Sequence, residues 1–165
     1  MTTYTPRPID PAALKQLRAM DDAGRPCVPF TATEGGDPLR CCLRPVRTGE
    51  RVALVSYAPL RRWAAETWAK PGAYDEQGPV FIHAEECEGP GPSPAYPFAR
   101  TGALRTLRRY DTEGRIVGGR LLEIPETAAE GFDAAFAEAF ADPRVALVHV
   151  RAVEYGCFHF EVRRP

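Results

Sequence analysis

The chain has 165 residues, 44% of them hydrophobic and 26% charged, a composition that fits one globular domain with a core of its own. Its 21 Lys and Arg nearly balance 22 Asp and Glu for a net charge of −1, so no global field draws in nucleic acid or an anionic membrane surface. The start Met1-Thr2-Thr3-Tyr4-Thr5-Pro6-Arg7 lacks the apolar stretch of a signal peptide, and no apolar run approaches the ~20 residues that cross a bilayer, which points to a cytoplasmic protein.

Asp10 followed by Pro11 is a helix start, with a carboxylate to cap free amides and a proline where an amide has no partner anyway. Leu14, Leu17 and Met20 give this helix one apolar face, and Gly24 with Pro26 closes it. Three strands are expected next: Val28 to Thr33, Arg40 to Arg44 after the turn Glu34-Gly35-Gly36-Asp37-Pro38, and Arg51 to Tyr57 after Thr48-Gly49-Glu50. Arg61 to Lys70 reads as a short helix carrying Trp63 and Trp68, either as core or as an exposed patch for a partner. Val80 to Ala84 is a further strand, and the proline-rich stretch 88–98 is a loop.

In the second half, Leu104 to Tyr110 and Arg115 to Ile124 form a hairpin around Asp111-Thr112-Glu113-Gly114, with Gly118-Gly119 marking a bulge. Thr127 and Glu130 open a helix in capping-box spacing, Phe132, Phe136 and Phe140 are its buried stripe, and Asp142-Pro143 stops it. Val145 to Val153 and Cys157 to Val162 close the chain as a second hairpin. The order predicts an α+β fold, a single domain in which a twisted, largely antiparallel sheet carries an N-terminal helix and a helix from the C-terminal half.

Chemistry has few candidate residues. The chain has three histidines and five cysteines, the latter expected as free thiols in the cytoplasm. His83 and Cys87, four residues apart at the end of a strand, are the best metal pair, but no second pair accompanies them, so no metal is expected. Cys42, flanked by Arg40 and Arg44, is the better-placed thiol for ionisation, whereas Glu85, Glu86 and Glu88 oppose it at Cys87. In an alternating strand Cys41 and Cys42 point to opposite faces and do not pair.

His149 and Arg151, two residues apart, share one strand face. Alternation in the last strand puts Phe158 and Phe160 on the core side and Cys157, His159 and Glu161 on the other, so that His149 and His159 approach across the ladder. Arg105, Arg108, Arg109, Arg115 and Arg120 decorate the first hairpin, and a guanidinium offers a planar fork to a carboxylate or phosphate. There is no Gly-rich phosphate loop, no dinucleotide fingerprint, no nucleophile elbow and no zincin helix, so no cofactor is indicated.

The blocks Cys42-Leu43-Arg44, Gly49-Glu50, Ser56-Tyr57-x-Pro59, Gly78-Pro79-Val80-Phe81-Ile82-His83-Ala84 with Cys87, Leu107-Arg108-x-Tyr110-Asp111, and His149-Val150-Arg151 with Gly156-Cys157-Phe158 resemble a bacterial family, domain of unknown function 1203. The resemblance spans roughly residues 27 to 164. It implies an insertion at 61–72, and Leu39 stands where many members carry a cysteine. It brings no established activity, but directs attention to Cys42, His83, Cys87, Arg108, Tyr110, His149, Arg151 and Cys157.

The expected function is the binding of a small polar or anionic metabolite in a His/Arg-lined pocket. His83 and His149 are its candidate acid/base residues, and Arg108, Tyr110, Arg151 and Cys42 its candidate ligand contacts. A non-enzymatic interaction module built on the tryptophans, and a Cys/His metal or thiol protein, are the alternatives. The oligomeric state is open.

Overall fold

The computed structural model describes residues 2–165. Three α-helices and seven strands make an α+β fold in which the antiparallel strands divide between two sheets. Helix α1 (Pro11–Leu17) starts as its sequence dictates, with the Asp10 carboxylate accepting from the Ala12 amide at 2.8 Å. Leu14 and Leu17 are buried, but the helix ends before Met20, which is exposed.

The first sheet has the order β1-β2-β3, from β1 (Phe30–Thr31), β2 (Arg51–Tyr57) and β3 (Gly78–His83). β1 is shorter than the expected Val28 to Thr33, since Pro29 has no amide to give a ladder. The expected strand Arg40 to Arg44 is absent. Prolines at 38 and 45 bracket the segment, the chain reverses within it, and Leu43 takes a positive φ of 56°. What remains of strand pairing there is two isolated bridges, Pro38 to Pro45 across the reversal and Leu39 to Phe81, with the Arg40 amide donating to the Phe81 carbonyl at 2.9 Å. α1 and this sheet share one apolar core, with Leu14, Leu17, Val52, Val55 and Ile82 at its centre.

Helix α2 (Pro59–Thr67) ends at Trp68 in the left-handed conformation, φ 63°. The two tryptophans part company here. Trp63 packs with Leu60, Tyr110 and Leu147, while Trp68 is 89% exposed, so they form no joint patch.

The second sheet has the order β5-β4-β6-β7, from β4 (Leu104–Tyr110), β5 (Ile116–Glu123), β6 (Leu147–Ala152) and β7 (Phe158–Arg163). Both expected hairpins are present, and the β4–β5 bulge falls at Val117, beside Gly118. Helix α3 (Ala128–Ala141) lays Phe132, Phe136 and Phe140 on one face of this sheet against Leu107, Val148, Val150 and Phe160. Its cap is a bare backbone one: the Thr127 side chain makes no capping bond, so the expected capping box does not form.

A second irregularity matters more. On the β6–β7 ladder His149 pairs with Glu161 and Val150 with Phe160, but Arg151 pairs with Phe158, leaving His159 as the extra residue of a bulge. Phe158 therefore lies on the His149 side, with ring centroids 5.1 Å apart, while Phe160 lies under α3. The two phenylalanines do not share a face, and His159 does not face His149. One inserted residue reverses the alternation on which that reading relied.

Candidate functional site

Three polar clusters emerge from this framework. The first surrounds His83 at the end of β3. Because residues 40–44 form a turn and not a strand, consecutive cysteine side chains both reach the imidazole: Cys41 Sγ lies 3.4 Å and Cys42 Sγ 3.8 Å from Nδ1. On the other side of the ring, Nε2 is 3.3 Å from Glu50 Oε1, and Glu50 is held by both terminal nitrogens of Arg44 and by the Arg47 amide. The Arg44 hydrogen bond, outweighing burial, keeps the Glu50 carboxyl well below its usual range. A hydrogen bond from Cys41, helped by His83 and Arg44 against burial, lowers the Cys42 thiol, whereas that same bond and burial raise Cys41. Cys87 closes the group: Cys41, His83 and Cys87 offer ligand-type atoms all within 4.8 Å of one another.

The second cluster lies on the face of the larger sheet away from α3 and gathers His149, Arg151, Arg108 and Tyr110. The ladder pairs Arg108 with His149, and the Tyr110 ring sits 4.7 Å from the imidazole. Glu76 takes Arg108 at 2.8 Å and Arg151 at 3.6 Å, so one carboxylate answers both guanidinium groups. His149 is fully buried, and burial lowers its pKa despite Glu161 3.2 Å away. Arg163, 2.6 Å from Glu161, supplies that carboxylate with a permanent cation. His83 and His149 stand on different sheets and have no hydrogen-bonding partner in common.

The third cluster occupies a cleft of about 850 Å³ between the sheets. Leu54 and Phe81 line one wall and Phe98 another, and Arg40, Arg105 and His159 supply the polar floor. Arg40 is 2% exposed and donates to the carbonyls of Phe158 (2.7 Å) and Pro38, yet forms no ion pair among the described residues. Arg105, 6% exposed, donates to the carbonyls of Leu104 and Phe98, with only a long 3.8 Å contact to Glu154. His159 is 5% exposed, packs against the Phe98 ring at a tilted angle with centroids 5.0 Å apart, and its Nδ1 has no partner. Burial, Arg40 and Arg105 hold its pKa down to about 3. Phe98 itself takes a left-handed φ of 56°, a strained conformation for a large side chain that aims its carbonyl at Arg105.

The single His/Arg-lined pocket expected from the sequence is divided by the structure: Cys42, His83 and Cys87 meet at one place, and Arg108, Tyr110, His149 and Arg151 at another. Sequence reasoning missed Arg40 and Arg105 as partners of His159, and Glu50 and Cys41 as partners of His83. No local signal marks them: each is an ordinary polar residue until a distant segment arrives beside it.

Two small antiparallel sheets, each backed by a helix, with an arginine- and histidine-floored cleft between them, define the class: an α+β protein whose polar residues cluster at the sheet interface and edges. The chain belongs to the family described as Protein of unknown function (DUF1203), whose family model matches residues 36–164. No curated protein and no solved structure matches it. Among the described residues no helix is long and apolar enough to cross a membrane.

Proposed function

We propose that the protein binds a small anionic metabolite with an apolar body in the cleft between its sheets, through Arg40, Arg105 and His159. The observation that carries this reading is a pair of buried guanidinium groups, one without an ion pair and one with only a distant carboxylate, flanking an imidazole whose Nδ1 has no partner. A charge taken out of water is costly unless a counter-charge and hydrogen bonds answer it. A carboxylate or phosphate seated on the floor supplies both, and Leu54, Phe81 and Phe98 receive the apolar part. The cleft volume is that of an ordinary small-molecule site.

The neutral His159 serves first as a hydrogen-bonding group. An anion bound beside it offsets the two guanidinium charges and raises its pKa, while burial, the larger cause of the lowering, remains and keeps the ring a neutral hydrogen-bonding group. Nucleic acid and membrane surfaces fit this reading poorly, since the net charge is −1.

Calorimetric titration with benzoate and phenyl phosphate, and with neutral benzamide as a control, tests the proposal. The anions should bind and benzamide should not, and Arg105→Gln or His159→Gln should weaken binding about tenfold or more, as expected for a lost charge-assisted contact. Equal affinity for benzamide, or unchanged anion binding in both variants, would sink it.

A further inference from the structure

The sulfur and nitrogen atoms around His83 lie close to the spacings of a tetrahedral metal site, within a short contraction of them. With bonds of about 2.3 Å to sulfur and 2.0–2.1 Å to nitrogen, ligand atoms around zinc stand roughly 3.5–3.8 Å from each other. Cys41 Sγ is 3.4 Å and Cys42 Sγ 3.8 Å from His83 Nδ1, and the two sulfurs are 4.0 Å apart. Cys87 joins Cys41 and His83 within 4.8 Å. We propose that Cys41, His83 and Cys87 bind a thiophilic divalent cation, zinc above all; Cys42 lies near Cys41 and His83 but outside the group that includes Cys87, so it completes the coordination only by a shift toward the ion, and water fills the fourth position otherwise.

Two further features support a metal site over a chance meeting of thiols. Metal-ligating histidines commonly give their second ring nitrogen to a carboxylate, which fixes tautomer and ring angle. His83 has the partners for this: Nε2 lies 3.3 Å from Glu50 Oε1 and 3.4 Å from an Arg44 nitrogen, and the tautomer with its proton on Nε2 donates to Glu50 and leaves the Nδ1 lone pair for the ion, while Glu50 is pinned by Arg44 and the Arg47 amide. Cys41 Sγ also accepts the backbone amide of His83 at 3.2 Å, a bond that stabilises a thiolate ligand. An entry path exists as well, since Cys41 and Cys87 both border a surface cleft of about 720 Å³ next to α1.

Spacing shows only the His83–Cys87 pair; Cys41 joins it from a turn 42 residues before His83, which the expected absence of a metal did not take into account. Metal binding exchanges the thiol protons for the ion, so it releases protons and couples to stability. The chain carries no other cluster of three such ligands among the described residues.

The test uses the full chain, purified without a metal-affinity tag and freed of metal by dialysis against a chelator. Cobalt(II) titration should saturate near ~1 equivalent with the near-ultraviolet sulfur-to-metal band and visible bands of a tetrahedral thiolate site, and zinc should bleach them. His83→Ala and Cys87→Ser should abolish the bands, while Cys27→Ser, outside the cluster, should keep them. Glu50→Gln keeps every cysteine and histidine ligand and should weaken affinity about 10- to 100-fold, a readout that survives even if the ligand variants fold poorly. Uptake of less than about a tenth of an equivalent of cobalt and zinc by the native chain, bands that persist in His83→Ala and Cys87→Ser, or unaltered affinity in Glu50→Gln would overturn the proposal.

Discussion

His149 stands opposite Glu161 on the β6–β7 ladder, Nε2 to Oε2 at 3.2 Å, while His159, ten residues on in sequence, is turned by the bulge into the cleft between the sheets. Both histidines are buried, and in both burial is the main cause of a lowered pKa.

That lowering has a pH signature. In the unfolded chain each histidine titrates near ~6.5, but in the native protein it stays neutral to lower pH, to about 3 at His159. Below ~6.5 the unfolded state therefore binds more protons, so stability is full above that pH and is lost as pH falls toward the native values. Each such histidine removes up to about 1.4 kcal/mol per pH unit in this window. Urea midpoints should hold nearly constant around pH 7.5 and fall increasingly as pH drops through ~6.5 to ~5, above the range where most carboxylates titrate. His159→Gln should flatten the slope by roughly half, and a flat wild-type profile would contradict the assignment.

Gly131 lies inside α3, where helix propensity alone predicts that alanine stabilises by about 1 kcal/mol. A Cβ at this position would sit 2.6 Å from the Pro125 ring. Gly131→Ala should therefore destabilise, by about 1–3 kcal/mol, as overpacking does. A rise in the denaturant midpoint would show that the ring yields.

The stripe on the same helix gives a contrast of scale. Phe136 is fully buried among Phe132, Phe160 and Tyr96, so Phe136→Ala should cost about 3–5 kcal/mol. Thr127 occupies the cap position with no side-chain bond, so Thr127→Ala should fall well short of the usual cap loss of about 1 kcal/mol. Equilibrium unfolding of the two variants side by side checks both.

The two tryptophans should report different environments. Iodide should quench Trp68 strongly and Trp63 weakly, read separately in Trp63→Phe and Trp68→Phe proteins. Trp63→Phe should also lower stability, because its ring packs against Leu60, Tyr110 and Leu147. Equal quenching in the two single-tryptophan proteins would contradict the burial of Trp63.

What the sequence by itself determined was local. Asp10-Pro11 started a helix, a phenylalanine at every fourth residue from 132 to 140 set the buried side of another, and both hairpins followed from their turn residues. Such signals act over a few residues, through amides left free at a helix end or side chains one turn apart, and no distant partner is needed to read them. Local reading also failed locally where one residue broke the rule: the prolines around Arg40 turned an expected strand into a reversal, and the bulge at His159 exchanged the faces of Phe158 and Phe160. The clusters were decided by tertiary structure alone. Glu50 and Cys41 meet at His83, and Arg40 and Arg105 meet at His159, from segments tens of residues apart. Which segments become neighbours is set by the summed packing of two sheets and three helices, and no periodicity in any one of them carries that information.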